Sequence, residues 1–303
     1  MKNNIGSALT GNACILLATI IWGVNVTVTK ALEPAWMTSD GVSAVRIIGG
    51  CILFWIVSLF FKHRAIAAHD WVRFIFAGVV GMFGFIYLFV SSLRYGSPID
   101  ISIIMTLPPV FVIIIGAILQ HRRPSLLEIV GVLVSFAGAV VVIADAGATA
   151  HGSDRLLGDV LAVASTICYA IYLVLMEKPT KVYRPMTMLR WVFLFAAIPA
   201  LLLLHDFGSM PILHTTDIVP WLEIGFVLFL STFLAYFLME PAIKRIGSEL
   251  VSLYQYLIPV FATISAVLMG LSHLRWEQVL AMAIIIVGMI VTNIGKHRAR
   301  PAK

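Results

Sequence analysis

The segment LPPVF at residues 107–111 recurs as LIPVF at residues 257–261, 150 positions further along the chain. The same shift, without a gap, superposes residues 71–143 on residues 221–293 and brings several aromatic and small residues into register. Similarity at a fixed spacing is typical of a chain built by duplication. The pattern therefore predicts that these two stretches fold alike.

Weaker matches extend the duplication to the remaining residues. A shift of 147 places Trp22 on Tyr169, and a shift of 144 places Arg46 on Arg190. We therefore predict two repeats, residues 1–150 and 151–303.

The composition places both repeats in a membrane. The 303-residue chain is 60% hydrophobic and 12% charged, and its mean hydropathy is +1.00. A soluble domain needs more charge at its surface, whereas apolar segments of about 18 or more residues can cross a bilayer. We predict an all-α, polytopic membrane protein with ten transmembrane helices near residues 9–29, 41–61, 71–93, 98–119, 126–144, 158–176, 187–204, 219–241, 249–271 and 276–295.

The basic residues predict the topology. Lys2 precedes the first apolar segment, as in a signal peptide, but that segment lacks an A-x-A-type cleavage site, so we expect it to remain as a span. With a cytoplasmic N-terminus, fifteen of the 21 Lys and Arg lie inside and four outside, namely Lys30, Arg94, Arg155 and Arg275. This asymmetry predicts cytoplasmic termini. The net charge of +6 then reflects topology, and we expect no nucleic-acid partner.

Each repeat carries five predicted spans, an odd number, so the second repeat enters the bilayer from the opposite side. Inverted repeats are characteristic of secondary transporters, in which two pseudo-symmetric halves enclose a site at the bilayer midplane. The sequence therefore predicts alternating access to a small-molecule substrate at the cell inner membrane.

Several motifs resemble the EamA-type branch of the drug/metabolite transporter superfamily. They are WGVNVTVTK (22–30), Arg46, LRYGSPIDISIIMTLPPVF (93–111) and EIVGVLVSFAGAVVVI (128–143). The resemblance implies a ten-helix inner-membrane carrier, often an exporter of amino acids or related amphiphiles. Members commonly carry a Gly-Glu pair after helices four and nine. Here His121-Arg122 and Leu271-Ser272 stand there, so no role for such a carboxylate is transferred.

Polar stripes on four predicted helices give the candidate substrate-binding residues. Residues three or four apart share one helix face, and polar groups in a span usually face the bundle interior or a wet cavity. The candidates on these stripes are Trp22, Asn25, Thr106, Tyr169, Tyr172, Ser252, Gln255 and Tyr256, and Arg46 on a fifth helix is a further candidate. The alternative for these stripes is hydrogen bonding between neighbouring helices as structural support.

Two prolines and three charged residues need separate interpretations. Pro109 and Pro259 occupy equivalent positions and are either gating kinks or structural ones. Arg46 lies about 8 Å below the outer end of its span, where it either attracts a substrate carboxylate, snorkels outward or pairs with carbonyls. We expect Arg190 to snorkel inward. Glu240 precedes Lys244 by four residues, which favours a salt bridge; its alternative role is proton coupling.

Other functions find less support in the sequence. An intramembrane enzyme needs a nucleophile, a metal or paired acids at depth, and no HExxH or GxSxG motif lies in the spans. Channels usually repeat around a pore, and sensors usually carry a soluble output domain. Cys14, Cys51 and Cys168 stand alone, so we expect no metal site and no cofactor. We expect the glycine-rich helices to offer a homodimer contact.

Overall fold

The computed structural model describes residues 2–61, 64–119, 125–147 and 152–299, and these residues form fourteen α-helices and no strand. The first repeat holds α1 Lys2–Leu32, α2 Ser39–Ser58, α3 Trp71–Phe76, α4 Gly84–Tyr95, α5 Pro98–Ile104, α6 Pro108–Leu119 and α7 Leu126–Gly147. The second holds α8 Gly152–Met176, α9 Pro179–Val182, α10 Pro185–Ala200, α11 Val219–Gly225, α12 Ala235–Tyr254, α13 Ile258–Leu268 and α14 Trp276–Ala299.

The all-α, polytopic architecture is confirmed. Seven helical stretches are long and apolar enough to cross a membrane: Leu9–Leu32, Ser39–Ser58, Ala68–Tyr95, Pro98–Gly116, Asp154–Met176, Pro185–Leu204 and Val219–Ile246. Three shorter apolar helical stretches are Leu126–Gly138, Gln255–Leu268 and Trp276–Thr292. The count of ten transmembrane helices stays a prediction.

Irregular backbone recurs at the same place in both repeats. A π-helical segment joins α3 to α4 at Ala77–Phe83, and another joins α11 to α12 at Phe226–Leu234. The helix break before α6 is matched by the 3-10 turn Gln255–Leu257 before α13, and α7 and α14 begin 150 residues apart. Local geometry therefore follows the sequence duplication. The predicted boundary at residue 150 lies outside the described residues.

Helices of one repeat pack mainly on helices of the other. α1 packs on α12 and α13, while its counterpart α8 packs on α4 and α6. α2 packs on α10, and α7 packs on α14. In α1, Gly23 permits the close approach, because a Cβ there would lie 2.5 Å from the Cβ of Phe261 on α13. The centre of the molecule is therefore enclosed by equivalent elements of both repeats.

The glycine-rich helices face each other within one chain. A Cβ on Gly131 would lie 2.4 Å from the backbone nitrogen of Thr292, and one on Gly288 would lie 2.4 Å from that of Ser135. Gly138 likewise packs on Ile285. These glycines therefore allow close contact between α7 and α14 within one chain. The homodimer stays a prediction.

Candidate functional site

A central pocket lies between the two repeats, and its empty space, including the solvent at its open mouth, is about 480 Å³. The first repeat lines it with Trp22, Asn25, Val26, Arg46, Phe85, Phe89, Met105 and Pro108. The second repeat lines it with Tyr169, Tyr236, Gln255 and Ile258. The wall is thus largely aromatic and apolar, with two amides and one guanidinium.

The α1 stripe meets this wall. Asn25 is 2% exposed and accepts a 3.4 Å hydrogen bond from the hydroxyl of Thr29. The indole nitrogen of Trp22 donates to the carbonyl of Ser231 at 3.1 Å, and the ring packs edge-on against Tyr236 at 5.6 Å. The cavity therefore accommodates the amide of Asn25 within an apolar helix, and Trp22 forms part of the cavity wall.

Arg46 reaches the cavity from α2 and is 2% exposed, so it does not snorkel. Its Nε donates to the hydroxyl of Thr232 at 3.0 Å, and its Nη2 donates to that of Ser231 at 3.2 Å. Both hydroxyls belong to the second π-helical segment. Nη1 is buried without a hydrogen-bond partner, and the guanidinium carbon lies 5.8 Å from the ring centroid of Phe89.

Arg190, the formal mate of Arg46, has different surroundings. Its guanidinium carbon lies 5.1 Å from the ring centroid of Trp55 and 5.5 Å from that of Trp191. The cavity lining does not include it. Cation–π contacts with the two indoles, which attract a guanidinium strongly, hold it in place.

On the opposite wall, Tyr169 and Gln255 form a polar pair. The side-chain nitrogen of Gln255 donates to the hydroxyl of Tyr169 at 3.4 Å. The Tyr169 ring also packs on Phe85, with centroids 4.7 Å apart. This pair places an amide on the wall formed by the second repeat.

Three other candidates do not line the cavity. The hydroxyl of Thr106 donates to the carbonyl of Ile103 at 2.6 Å within its own segment. Tyr172 stacks on Tyr169 but lies behind it, outside the lining. Tyr256 is also outside the lining. The side chain of Ser252 lies outside the described residues.

The two prolines begin helices after a break. Pro109 lies in the first turn of α6, behind the non-helical Leu107, and Pro259 lies in the first turn of α13, behind the 3-10 turn. A proline in the first helical turn costs no hydrogen bond. The expected kink is therefore an interruption of the α-helix in both repeats, by a turn at residues 105–107 in the first and by the 3-10 turn Gln255–Leu257 in the second. Pro108, and not Pro109, touches the cavity.

Glu240 does not form the expected salt bridge. The carboxyl group is 3% exposed and accepts a 3.4 Å hydrogen bond from the hydroxyl of Tyr172, whereas Lys244 is exposed. The side chain lies one helical turn beyond Tyr236, on the same face of α12, and Lys244 reaches solvent instead. The helix-pair prediction was wrong because it ignored this burial.

Sequence reasoning missed the apolar part of the wall. Phe85, Phe89 and Tyr236 lie in two spans to which no polar stripe was assigned from the sequence, so nothing marked their cavity side. Met105 and Ile258 lie next to the helix breaks. The 150-residue shift relates Met105 to the candidate Gln255 and Ile258 to Pro108, and this equivalence could have indicated that both line the cavity.

Comparison with known proteins gives consistent matches. The profile of the EamA-like transporter family matches residues 9–144 and 156–294. The chain is 27% identical over 224 residues to an uncharacterized transporter, YyaM, of Bacillus subtilis, covering 73% of each. It is 24% identical to the aromatic amino acid exporter YddG of Ancylobacter novellus, covering 73% of this chain and 76% of that one.

Two further matches extend the comparison. The probable amino-acid metabolite efflux pump of Escherichia coli is 25% identical over 228 residues, which cover 72% of this chain and 75% of the pump. One solved crystal structure superposes with a TM-score of 0.61 at 20% identity, covering 96% of this chain and 98% of the other. At that identity the likeness concerns the fold alone.

Proposed function

Because the chain belongs to the EamA-like transporter family, we propose that it is a secondary transporter that exports small metabolites through the central cavity by alternating access. It moves its substrate without covalent chemistry and without a cofactor. We place it in the cell inner membrane with both termini in the cytoplasm, as the distribution of Lys and Arg favours.

The observation that carries this proposal is the composition of the cavity wall. Met105 and Gln255 are equivalent positions of the two repeats, and so are Pro108 and Ile258. A wall built from equivalent elements in inverted order allows the two repeats to exchange conformations. The exchange opens the same site to opposite faces.

The direction of transport and the substrate class rest on the relatives and the wall together. Two relatives are named as exporters or efflux pumps of amino acids or their metabolites. The aromatic wall suits a substrate with an apolar body, and the buried amides of Asn25 and Gln255 suit its polar groups. The proposed substrate is therefore an amino acid or a related amphiphile.

The gate and the coupling group follow from the surroundings of the cavity. The helix breaks before Pro109 and Pro259 are the points where α5–α6 and α12–α13 bend as the site changes sides. Glu240 contacts Tyr172 directly behind the wall, so binding or loss of a proton at this carboxyl can be coupled to the conformation of the cavity. We assign the coupling proton to Glu240.

The test is counterflow in proteoliposomes that contain the purified protein. Vesicles loaded with unlabelled phenylalanine or another aromatic metabolite should accumulate the labelled compound transiently, and protein-free vesicles should not. A pH gradient should change the rate. Absence of counterflow for a panel of amino acids and their deaminated and decarboxylated analogues would refute the proposal.

A further inference from the structure

The cavity contains one fixed charge, the guanidinium of Arg46. An arginine stays protonated in proteins, and desolvation of a charge inside a membrane is costly unless a partner compensates it. Two of the three guanidinium nitrogens bind neutral hydroxyls, and Nη1 binds nothing. Hydrogen bonding to Ser231 and Thr232 therefore leaves the charge of the guanidinium uncompensated.

No carboxylate of the described chain supplies that compensation. Within residues 2–61, 64–119, 125–147 and 152–299, no acidic oxygen forms an ion pair with Arg46, and none of the twelve lining residues is acidic. Glu240 is the buried acid of α12, and it is bound to Tyr172 behind the wall. The lining of the cavity thus carries a net positive charge.

A ligand that completes this site brings one negative charge. A carboxylate fits the planar guanidinium with two parallel hydrogen bonds, and the free Nη1 can donate one of them. The lining contains one cation, so it matches a monoanion better than a doubly charged phosphate. Trp22, Phe89 and Tyr236 then enclose an apolar or aromatic body.

The same wall offers little to an ammonium group. A desolvated ammonium is stabilised best by a carboxylate, and the lining offers only neutral amide oxygens and aromatic ring faces, which compensate a buried charge less than a carboxylate does. Arg46 moreover repels a nearby cation. The carboxylate of a zwitterionic amino acid would therefore find a partner in Arg46, whereas its ammonium group would find no carboxylate in the cavity lining.

We propose that the ligand of the central cavity is a monocarboxylate anion with an aromatic or apolar body and no ammonium group. This class includes deaminated aromatic acids. The inference rests on the proposed function only in taking the cavity as the transport site. It narrows the substrate from amino acids and amphiphiles in general to their carboxylate derivatives.

Three probes that share a phenylethyl group test the proposal by calorimetry on the purified, detergent-solubilised protein at pH 7.5. They are 3-phenylpropionate, phenylalanine and phenethylamine, which carry a carboxylate alone, both groups and an amine alone. We expect 3-phenylpropionate to bind about tenfold or more tightly than phenylalanine, since the added ammonium lacks a partner. We expect no binding of phenethylamine. Equal or tighter binding of phenylalanine, or any binding of phenethylamine, overturns the proposal.

Variants locate the effect at one residue. Arg46→Gln should remove 3-phenylpropionate binding, and Arg46→Lys should retain part of it, because an ammonium lacks the fork of the guanidinium. Arg190→Gln is the matched control and should bind like the wild type. Unchanged binding by a monodisperse Arg46→Gln protein overturns the proposal. Should that variant fail to fold, the Arg46→Lys protein and the wild-type comparison of the three probes still decide.

Counterflow of the same probes separates this inference from the proposed function. Binding of 3-phenylpropionate without flux of any probe supports the inference and refutes transport. Flux of phenylalanine without binding or flux of 3-phenylpropionate supports transport and refutes the inference.

Discussion

The buried carboxylate of Asp100 accepts a 2.7 Å hydrogen bond from the side-chain amide of Gln278, 178 residues further along the chain. Asp100 is fully buried at the start of α5, and Gln278 lies in the first turn of α14. The same carboxylate pairs with Arg155 at the start of α8 and lies 3.6 Å from Arg275. One acidic side chain thus ties three helix starts from both repeats at one end of the molecule.

We expect Asp100→Asn to destabilise that end. Removing one partner of a buried ion pair typically costs roughly 3–5 kcal/mol, because the remaining charges lose their compensation. The melting temperature in detergent should fall, and a cysteine introduced near this end should react faster with a thiol reagent. Asp206→Asn, at an exposed position, is the control. An unchanged melting temperature would show that the network does not hold the repeats together.

The topology can be tested by labelling from outside. In a variant without Cys14, Cys51 and Cys168, a cysteine at the exposed Ser209 should react with an impermeant reagent added to spheroplasts. A cysteine at the exposed Ala65 should react only after permeabilisation. The reverse pattern would place the termini outside.

We expect Asn25→Leu and Gln255→Leu to lower transport several-fold while the folded protein persists, since both amides lie on the cavity wall. Thr27→Val is the matched control. The Thr27 hydroxyl contacts the carbonyl of Ala262 and the hydroxyl of Ser265 on α13. Its loss should cost about 0.5–1.5 kcal/mol of stability and leave substrate binding intact. Wild-type flux in both variants would show that the two amides support the structure and do not bind substrate.

Glu240→Gln tests proton coupling. The hydroxyl of Tyr172 donates to this carboxyl and Tyr169 lies nearby, and within the described residues no Lys, Arg or His forms an ion pair with it. We expect the variant to keep counterflow and to lose its response to an imposed pH gradient. The exposed Glu177→Gln should behave like the wild type. Retained stimulation by the gradient would remove Glu240 from the mechanism.

Stability should depend on pH through Glu33, which follows the end of α1. Burial raises the pKa of this carboxyl from 4.5 to about 7, although the charges of Lys30 and Arg94 partly offset the effect. Between these values the folded state binds more protons than the unfolded state, so stability falls as pH rises and levels off above pH 7. The full loss is about 3 kcal/mol.

The measurement is thermal unfolding at pH 5, 6, 7 and 8. Glu33→Gln should flatten the profile by removing the titration, whereas Glu177→Gln should leave the slope in place. A slope that survives Glu33→Gln would have to come from another group.

The sequence alone determined the membrane class, the duplication and the family. The reason is that hydropathy and repeat spacing are properties of whole segments. A segment that crosses the bilayer must be apolar along its full length, and the two repeats keep the same spacing along theirs. The sequence also indicated four residues of the cavity wall, because a polar side chain in an apolar span is conspicuous: Trp22, Asn25, Tyr169 and Gln255.

Tertiary structure decided which faces meet. Phe85, Phe89 and Tyr236 are aromatic residues in spans that are mostly apolar, and the sequence does not mark which of their aromatic residues meet the cavity. Glu240 has the spacing of a helix salt bridge with Lys244, yet its carboxyl is buried and bonded to Tyr172 of α8, whereas the lysine is exposed. The partners of Arg46, Ser231 and Thr232, lie 185 and 186 residues away. Contacts at such separations depend on how the two repeats cross, which local pattern does not encode.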